Sequence, residues 1–256
     1  VKIARFSSQG EDPRYGILDD QGIVVLAGDP LYQGFEPTGE RVDRRGVTLL
    51  APVIPRSKVV GVGLNYSDHV AEMDEATTDD PVLFLKPNTA VVGPGDPIRI
   101  PQDVGRVDFE GELAVVIGSI AKNVRREDFA DVILGYTIAN DVTARDLQQR
   151  DGQWARAKGF DTFCPLGPVI ETDLDPSDVR IETRVDGELR QAASTSEMIH
   201  DIPTLIEFAS SIWTLLPGDV ILTGTPAGVG EIHDGEVVEV NVTGIGSLTN
   251  PVLARR

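Results

Sequence analysis

Basic residues are scarce in this 256-residue chain: 23 lysines and arginines stand against 41 aspartates and glutamates, a formal charge of −18. A surface of that sign repels phosphate backbones and anionic headgroups, which argues against nucleic acid and membranes as partners. Nor is any apolar run long enough to cross a bilayer. The opening VKIARFSSQG reads as a strand and lacks the apolar region of a secretion signal. Cysteine is almost absent. The single Cys164 excludes an internal disulfide and suits a reducing compartment, so a cytoplasmic location is expected. Its apolar setting, FCPLGP, suggests a buried, inert thiol. Internal repeats and low-complexity tracts are also missing.

Nucleotide loops can be set aside on similar grounds. Gly61-Val62-Gly63 follows a strand, but Tyr66 stands where a dinucleotide loop needs its third glycine. TGTPAGVG (223–230) lacks the Gly-Lys-Ser/Thr ending of a phosphate loop. It reads instead as a tight loop, whose backbone N–H groups or Thr223 and Thr225 hydroxyls could meet a carboxylate.

The pattern that is present is strand-rich. Short alternating segments (Lys2–Phe6, Tyr15–Leu18, Gly22–Leu26) predict a small N-terminal β-rich subdomain over 1–55, closed by the proline-bounded APVIPRS at 51–57. Residues 56–256 form the larger unit. Its predicted strands are Lys58–Val62, Val82–Leu85, Gly111–Gly118, Val132–Ala139, Val179–Val185, Val220–Thr223 and Glu236–Val242. One helix is predicted near Glu197–Leu215, capped by Ser194, Thr195 or Ser196, with Met198, Ile202, Leu205, Ile206, Ala209 and Ile212 on its apolar stripe and Pro217-Gly218-Asp219 ending it. A second covers Val142–Trp154. The fold class is a strand-dominated α+β protein, not a doubly wound one.

Chemistry concentrates in a few places. RVDFEGELAVVIG (106–118) reads as one strand, which puts Glu110 and Glu112 on the same face about 7 Å apart, with Asp108 before them. Carboxylates gathered on an inward face repel one another unless a cation joins them, and oxygen-only ligands favour Mg²⁺, Mn²⁺ or Ca²⁺ over Zn²⁺. A face turned to water is the other reading, and the residues alone leave both open. His69 and Glu72, three apart in NYSDHVAEM (65–73), would be neighbours on one helical turn, where a carboxylate fixes an imidazole as a base; an incidental surface pair has the same spacing. The acidic MDEATTDDP (73–81) offers little to bury and reads as a mobile loop, so the short helix before it would form or fold over something and not sit in the core. Asp141 closes the strand-like GYTIAND (135–141) and could complete an oxygen site. Lys158, beside Gly159-Phe160, would need a negative partner if buried.

Together these segments resemble the fumarylacetoacetate hydrolase family. The motifs are GVGLNYSDHVAEM (61–73), PVLFLKP (81–87), VDFEGELAVVIG (107–118), GYTIANDVTARDLQ (135–148), KGFDTFCPLGP (158–168) and PGDVILTGTPAGVG (217–230), in the family's order. The resemblance implies a mixed β-roll, usually a homodimer, acting on a small 2-oxo acid or its enol. It implies that Glu110, Glu112 and Asp141 bind Mg²⁺ or Mn²⁺, that His69 and Glu72 form a catalytic dyad on a lid, and that Lys158 sits beside the metal. Gln148 and Thr225 would hold the substrate. The activity expected is isomerisation of the 2-hydroxyhepta-2,4-diene-1,7-dioate type or C–C bond hydrolysis in aromatic catabolism. Oxaloacetate decarboxylase or acylpyruvase activity is the alternative, and non-catalytic metal and metabolite binding is the reading from another class. The acidic insertion Asp74–Asp80 departs from the pattern where substrate size would be sensed.

Overall fold

In the computed structural model, residues 1–8, 10–73 and 78–254 are described. The N-terminal strands are β1 (Lys2–Ser8), β2 (Arg14–Asp19), β3 (Gly22–Leu26), β4 (Pro37–Val42) and β5 (Val47–Leu50), with the one-turn helix α1 (Pro30–Gln33) between β3 and β4. Then come β6 (Val59–Gly63), helix α2 (Ser67–Glu72), β7 (Val82–Lys86), β8 (Val91–Val92), β9 (Ile98–Ile100), β10 (Val107–Phe109), β11 (Gly111–Ile117), β12 (Ile133–Asn140) and β13 (Thr143–Ala144). Helices α3 (Arg145–Asp151) and α4 (Ala155–Lys158) precede β14 (Cys164–Glu171), β15 (Arg180–Val185) and β16 (Glu188–Ser194). Helix α5 (Ile202–Ile212), β17 (Val220–Leu222), β18 (Gly230–Glu231), β19 (Val237–Val242) and β20 (Gly246–Ala254) complete the order.

The strands form mixed sheets. The largest runs β4-β3-β2-β1-β14-β12-β11-β17-β6-β7, a second runs β16-β15-β19-β20-β9, and a small third joins β13, β10 and β18. Most pairs are antiparallel, while β17 lies parallel to β6. Alternation does the work of layering: Leu113 and Val115 on β11 and Ile138 on β12 point to one face, where they share a core with Ile181, Val238, Val240 and Leu248 of the second sheet. Burying each such side chain contributes about 1.5–3 kcal/mol. Ala114 and Val116 point the other way and pack with Val59, Leu166, Val220 and Leu222. The N-terminal strands continue the large sheet, since β1 pairs with β14 through Lys2↔Glu171 and Ile3↔Ile170. Among the described residues no helix is long and apolar enough to span a membrane.

The architecture is the expected strand-dominated α+β one, with four local corrections. The stretch 106–118 is two strands in two sheets, broken at Glu110. There the N–H of Glu110 is taken by Asn140 Oδ1 and that of Gly111 by Gln191 Oε1, each at 2.9 Å, so side chains replace the ladder bonds and the chain turns. The predicted helix 197–215 is shorter. Ser194 caps a single 3₁₀ turn, Thr195–Glu197, whereas Asp201 caps α5 by accepting from the Thr204 N–H at 3.1 Å. Met198 leaves the stripe to pair with Tyr66, and the helix stops before Pro217 because Leu215 is bridged to Ala121. The predicted helix 142–154 begins only at Arg145, as Thr143 and Ala144 pair with β10. It ends where Gly152 adopts the left-handed φ of 66°. Finally, β4, β5, β8, β9, β14, β16, β18 and β20 lie outside the strands expected from sequence; in β14, Pro165 and Pro168 mask the pattern.

Candidate metal centre and active site

Strand register brings the three acidic residues together. Gly111 lies opposite Asn140, so the residues flanking that pair, Glu110 and Asp141, also meet, and the Asp141 N–H donates to the Glu110 carbonyl at 2.8 Å. Glu112 follows two residues on along β11. One oxygen from each of Glu110, Glu112 and Asp141 lies within 4.8 Å of the other two, and all three residues are buried. Asp108 is not part of this set. Its carboxylate is held by Arg106 (2.6 Å) and Arg145 (2.9 Å), because the break at Glu110 puts it on a different sheet.

Buried cations oppose part of this charge. The Lys158 ammonium donates to Glu110 Oε2 (2.9 Å), Asp141 Oδ2 (2.7 Å) and Thr143 Oγ1 (2.8 Å). Lys86 contacts Asp141 Oδ1, and Arg145 Nη2 stands 2.6 Å from Glu110 Oε1. Lysines need such partners to remain charged away from water. Burial alone would push Glu110 up, but the charges of Lys158 and Arg145 outweigh it and hold the carboxyl down to about 2. Burial also works against the Lys158 ammonium, yet Asp141 and Glu110 more than compensate and raise it.

Glu112 differs. Among the described residues its carboxylate accepts one hydrogen bond, from the Gly224 N–H at 2.7 Å, and no lysine or arginine is paired with it. Burial, followed by the neighbouring charges of Asp141 and Glu110, pushes it well above the ordinary glutamate range. Nearby, the buried Tyr66 hydroxyl has no hydrogen-bond partner among the described residues, and burial, then the Glu112 charge, raises its pKa. A buried carboxylate short of positive charge, two further carboxylates within reach and an unsatisfied hydroxyl fit a divalent ion with its water. The oxygen-only donor set suits a hard ion.

Through Glu110 the cluster borders a cleft of about 120 Å³, lined also by His69, Met73, Gln148, Trp154, Lys158 and Thr225. Helix α2 covers it. His69 is buried, with Nδ1 3.1 Å from Glu72 Oε2. Glu72 also accepts the Gly228 N–H, at 3.1 and 3.2 Å from its two oxygens. Trp154 lies against Gly63, where a Cβ would come within 2.4 Å of the ring, and meets Phe84 edge-on at 5.5 Å. The Lys158 ammonium sits 4.9 Å from the Phe84 ring centre, an additional cation–π contact.

Of the eight residues named from sequence, His69, Glu110, Gln148, Lys158 and Thr225 line this cleft, Glu112 and Asp141 adjoin it through their cluster with Glu110, and Glu72 is linked to it through His69. Some of their contacts differ from expectation. The Thr225 hydroxyl is spent on the Gly111 carbonyl (3.0 Å) and accepts from Gln191 Nε2 (2.7 Å), and the Thr223 hydroxyl donates to the Leu113 carbonyl. The backbone N–H of Gly224, not a threonine, meets the carboxylate. Gln148 Oε1 accepts from Arg145 Nη1 at 3.0 Å, which orients its amide at the cleft. Residues 74–77 of the acidic loop lie outside the described residues. Lys86, Arg145 and Gln191 join the site beyond those predicted. A lysine inside the apolar PVLFLKP and an arginine four residues after Asp141 are the signals that could have marked the first two. Gln191 carries none. Cys164 is buried, and burial pushes its thiol up to about 12, as an inert residue requires.

Comparison with known proteins gives a consistent result. Residues 58–253 match the family model described as fumarylacetoacetate (FAA) hydrolase C-terminal, and residues 1–52 match one described as Rv2993c-like, N-terminal. The chain is similar in structure to a 5-carboxymethyl-2-hydroxymuconate delta-isomerase from Mycobacterium smegmatis, with 50% identity, a TM-score of 0.93 and 100% of both chains covered. It is likewise similar to a 2-hydroxyhepta-2,4-diene-1,7-dioate isomerase from Mycobacterium marinum, with 49% identity, a TM-score of 0.90, and 99% and 98% covered. A mitochondrial oxaloacetate tautomerase of Xenopus laevis is 43% identical over 99% of this chain and 90% of its own.

Proposed function

The chain belongs to the fumarylacetoacetate hydrolase family, and from that premise we propose that it is a divalent-metal-dependent enzyme that relocates a proton next to the 2-oxo group of a small acid. Keto–enol tautomerisation of a 2-oxo diacid and double-bond migration in a 2-hydroxydienedioate are the two forms of that chemistry. The observation that carries the proposal is that His69 (paired with Glu72), the buried Lys158 and Glu110 line one small cleft, with Glu110 belonging to a cluster of three buried carboxylates. Glu110, Glu112 and Asp141 would hold Mg²⁺ or Mn²⁺, which when bound supplies Lewis-acid polarisation of a 2-oxo oxygen.

The residues of the chain do the rest. With Glu72 accepting from Nδ1–H, the His69 Nε2 lone pair is left to take a proton from the carbon beside the carbonyl and return it elsewhere. Lys158 is held by three oxygens, so its charge is already aimed where negative charge develops, at little reorganisation cost. Gln148 orients the acid, the Thr225 segment walls the cleft, and α2 excludes water while the proton moves. Proton relocation is preferred over hydrolysis or decarboxylation because the three relatives described above are named for isomerisation or tautomerisation. A small N-terminal unit over 1–55, a homodimer and a cytoplasmic setting belong to the same proposal.

A panel assay tests it. Oxaloacetate, a 2-hydroxyhepta-2,4-diene-1,7-dioate and acetylpyruvate are each supplied with Mg²⁺ or Mn²⁺, with and without chelator. Faster enol–keto exchange or diene isomerisation that chelator abolishes is the expected outcome. Release of CO₂ or acetate alone would assign a decarboxylase or hydrolase. Metal binding without turnover of any of them would assign a binding protein.

A further inference from the structure

Asn65 ends the turn between β6 and α2 and is fully buried. Its Nδ2 donates to the carbonyls of Thr223 (2.7 Å) and His200 (3.0 Å), and its Oδ1 accepts the His200 N–H at 2.8 Å. Its own carbonyl accepts the Ile199 N–H, also at 2.8 Å. The preceding Leu64 holds a φ of 58°, a left-handed conformation that leucine keeps only when its surroundings enforce it. Gly224 packs so tightly here that a Cβ would lie 2.7 Å from that of Asn65. The base of α2 is thus fastened to 198–200 on one side and to the loop 223–228 on the other.

That loop makes three contacts with the site. The Thr223 carbonyl holds Asn65, the Gly224 N–H holds Glu112, and the Gly228 N–H holds Glu72. Both ends of the helix that carries His69, together with one carboxylate of the triad, therefore hang on six consecutive residues.

We infer that Asn65 is a positioning residue that acts through this loop, setting where His69 stands over the cleft and coupling the seating of α2 to occupation of Glu112. Coupling of this kind is reciprocal: an ion at Glu112 steadies the helix, and a loosened helix weakens the ion. Only the activity readout below rests on the proposed proton relocation.

The test is amide hydrogen exchange over residues 66–73 in the full chain, with and without Mn²⁺, in the parent, Asn65→Ala and Asn65→Asp. The aspartate keeps the size and the acceptor oxygen but removes both side-chain donations, so it serves where alanine costs the fold. In the parent, Mn²⁺ should slow exchange by roughly tenfold. In Asn65→Asp that response should largely vanish and Mn²⁺ affinity should fall about threefold to tenfold. With oxaloacetate as probe, kcat should fall about tenfold at nearly constant KM, as for a misplaced base. A purely structural role would lower the melting temperature while leaving the Mn²⁺ response of 66–73 intact, and that result would overturn the inference. So would a parent whose exchange ignores Mn²⁺. If the parent does not turn over oxaloacetate, the proposed activity fails, while exchange and Mn²⁺ affinity still decide the role of Asn65.

Discussion

The floor of the cleft and its cover are built on opposite physical terms. In the floor, Glu110, Glu112 and Asp141 sit on or beside central strands, buried, with Lys86, Lys158 and Arg145 packed among them. Moving any one of these charges exposes another to a low-dielectric interior, so the arrangement is stiff. The cover, α2, is six residues long and lacks a side-chain cap. It is held at its base by Asn65 and at its far end by the half-exposed Glu72. Charge is placed where the fold cannot yield, and the proton-transfer group where it can. Removing the proton-transfer side chain alone, with the base of α2 still fastened, should accordingly leave metal binding in place.

His69→Ala tests that separation most severely. Turnover should fall about 10²- to 10⁴-fold, the usual range for a lost general base, with Mn²⁺ affinity in calorimetry unchanged. A parallel loss of affinity would mean that the imidazole itself, and not only the fastening of α2, supports the ion. In the floor, Lys86→Met should leave Asp141 short of one buried partner and lower unfolding stability by about 3–5 kcal/mol, read by denaturant titration. A surface-like change of under about 1 kcal/mol would mean that the lysine and Asp141 are not held as described.

The dependence on pH is smaller and has a definite sign. Glu112 is raised in the folded chain, so it favours folding while protonated, below the ordinary glutamate range, and that contribution is lost as pH climbs through its raised value. Chelated protein should lose up to about 1.4 kcal/mol per pH unit in that window, and Mn²⁺ should flatten the slope. Glu110 acts in the opposite window: held down to about 2, it stabilises above the ordinary glutamate value and ceases to as pH falls toward 2. Thermal melts across pH with and without chelator measure both. The same slope in the two conditions would separate Glu112 from the ion.

Much of the floor was legible in the residues themselves, because period-two alternation marks β11 and β12 and places acids at their ends. The cover was legible in part, since three-residue spacing pairs His69 with Glu72. What escaped depends on partners far away in sequence. The break at Glu110 is made by Asn140 and Gln191, which take backbone N–H groups that a continuous strand would have spent on its neighbours. Asp108 is drawn off by Arg145 for the same reason, and Lys86 becomes a buried partner of Asp141 only once β7 and β12 share a sheet. The start of α5 is fixed by Asp201, while the better-looking cap residues serve a separate turn. Local pattern names the donors, and tertiary hydrogen bonding decides which of them face one another.

Calorimetric titration of Mn²⁺ into chelator-stripped parent and into Glu112→Gln tests the metal centre most directly. One site per chain in the parent, weakened by about a hundredfold or more in the glutamine variant, is the expected result, since a carboxylate ligand contributes more than the 10- to 100-fold typical of outer partners. A parent that binds no ion, or a variant that binds as tightly as the parent, would contradict it.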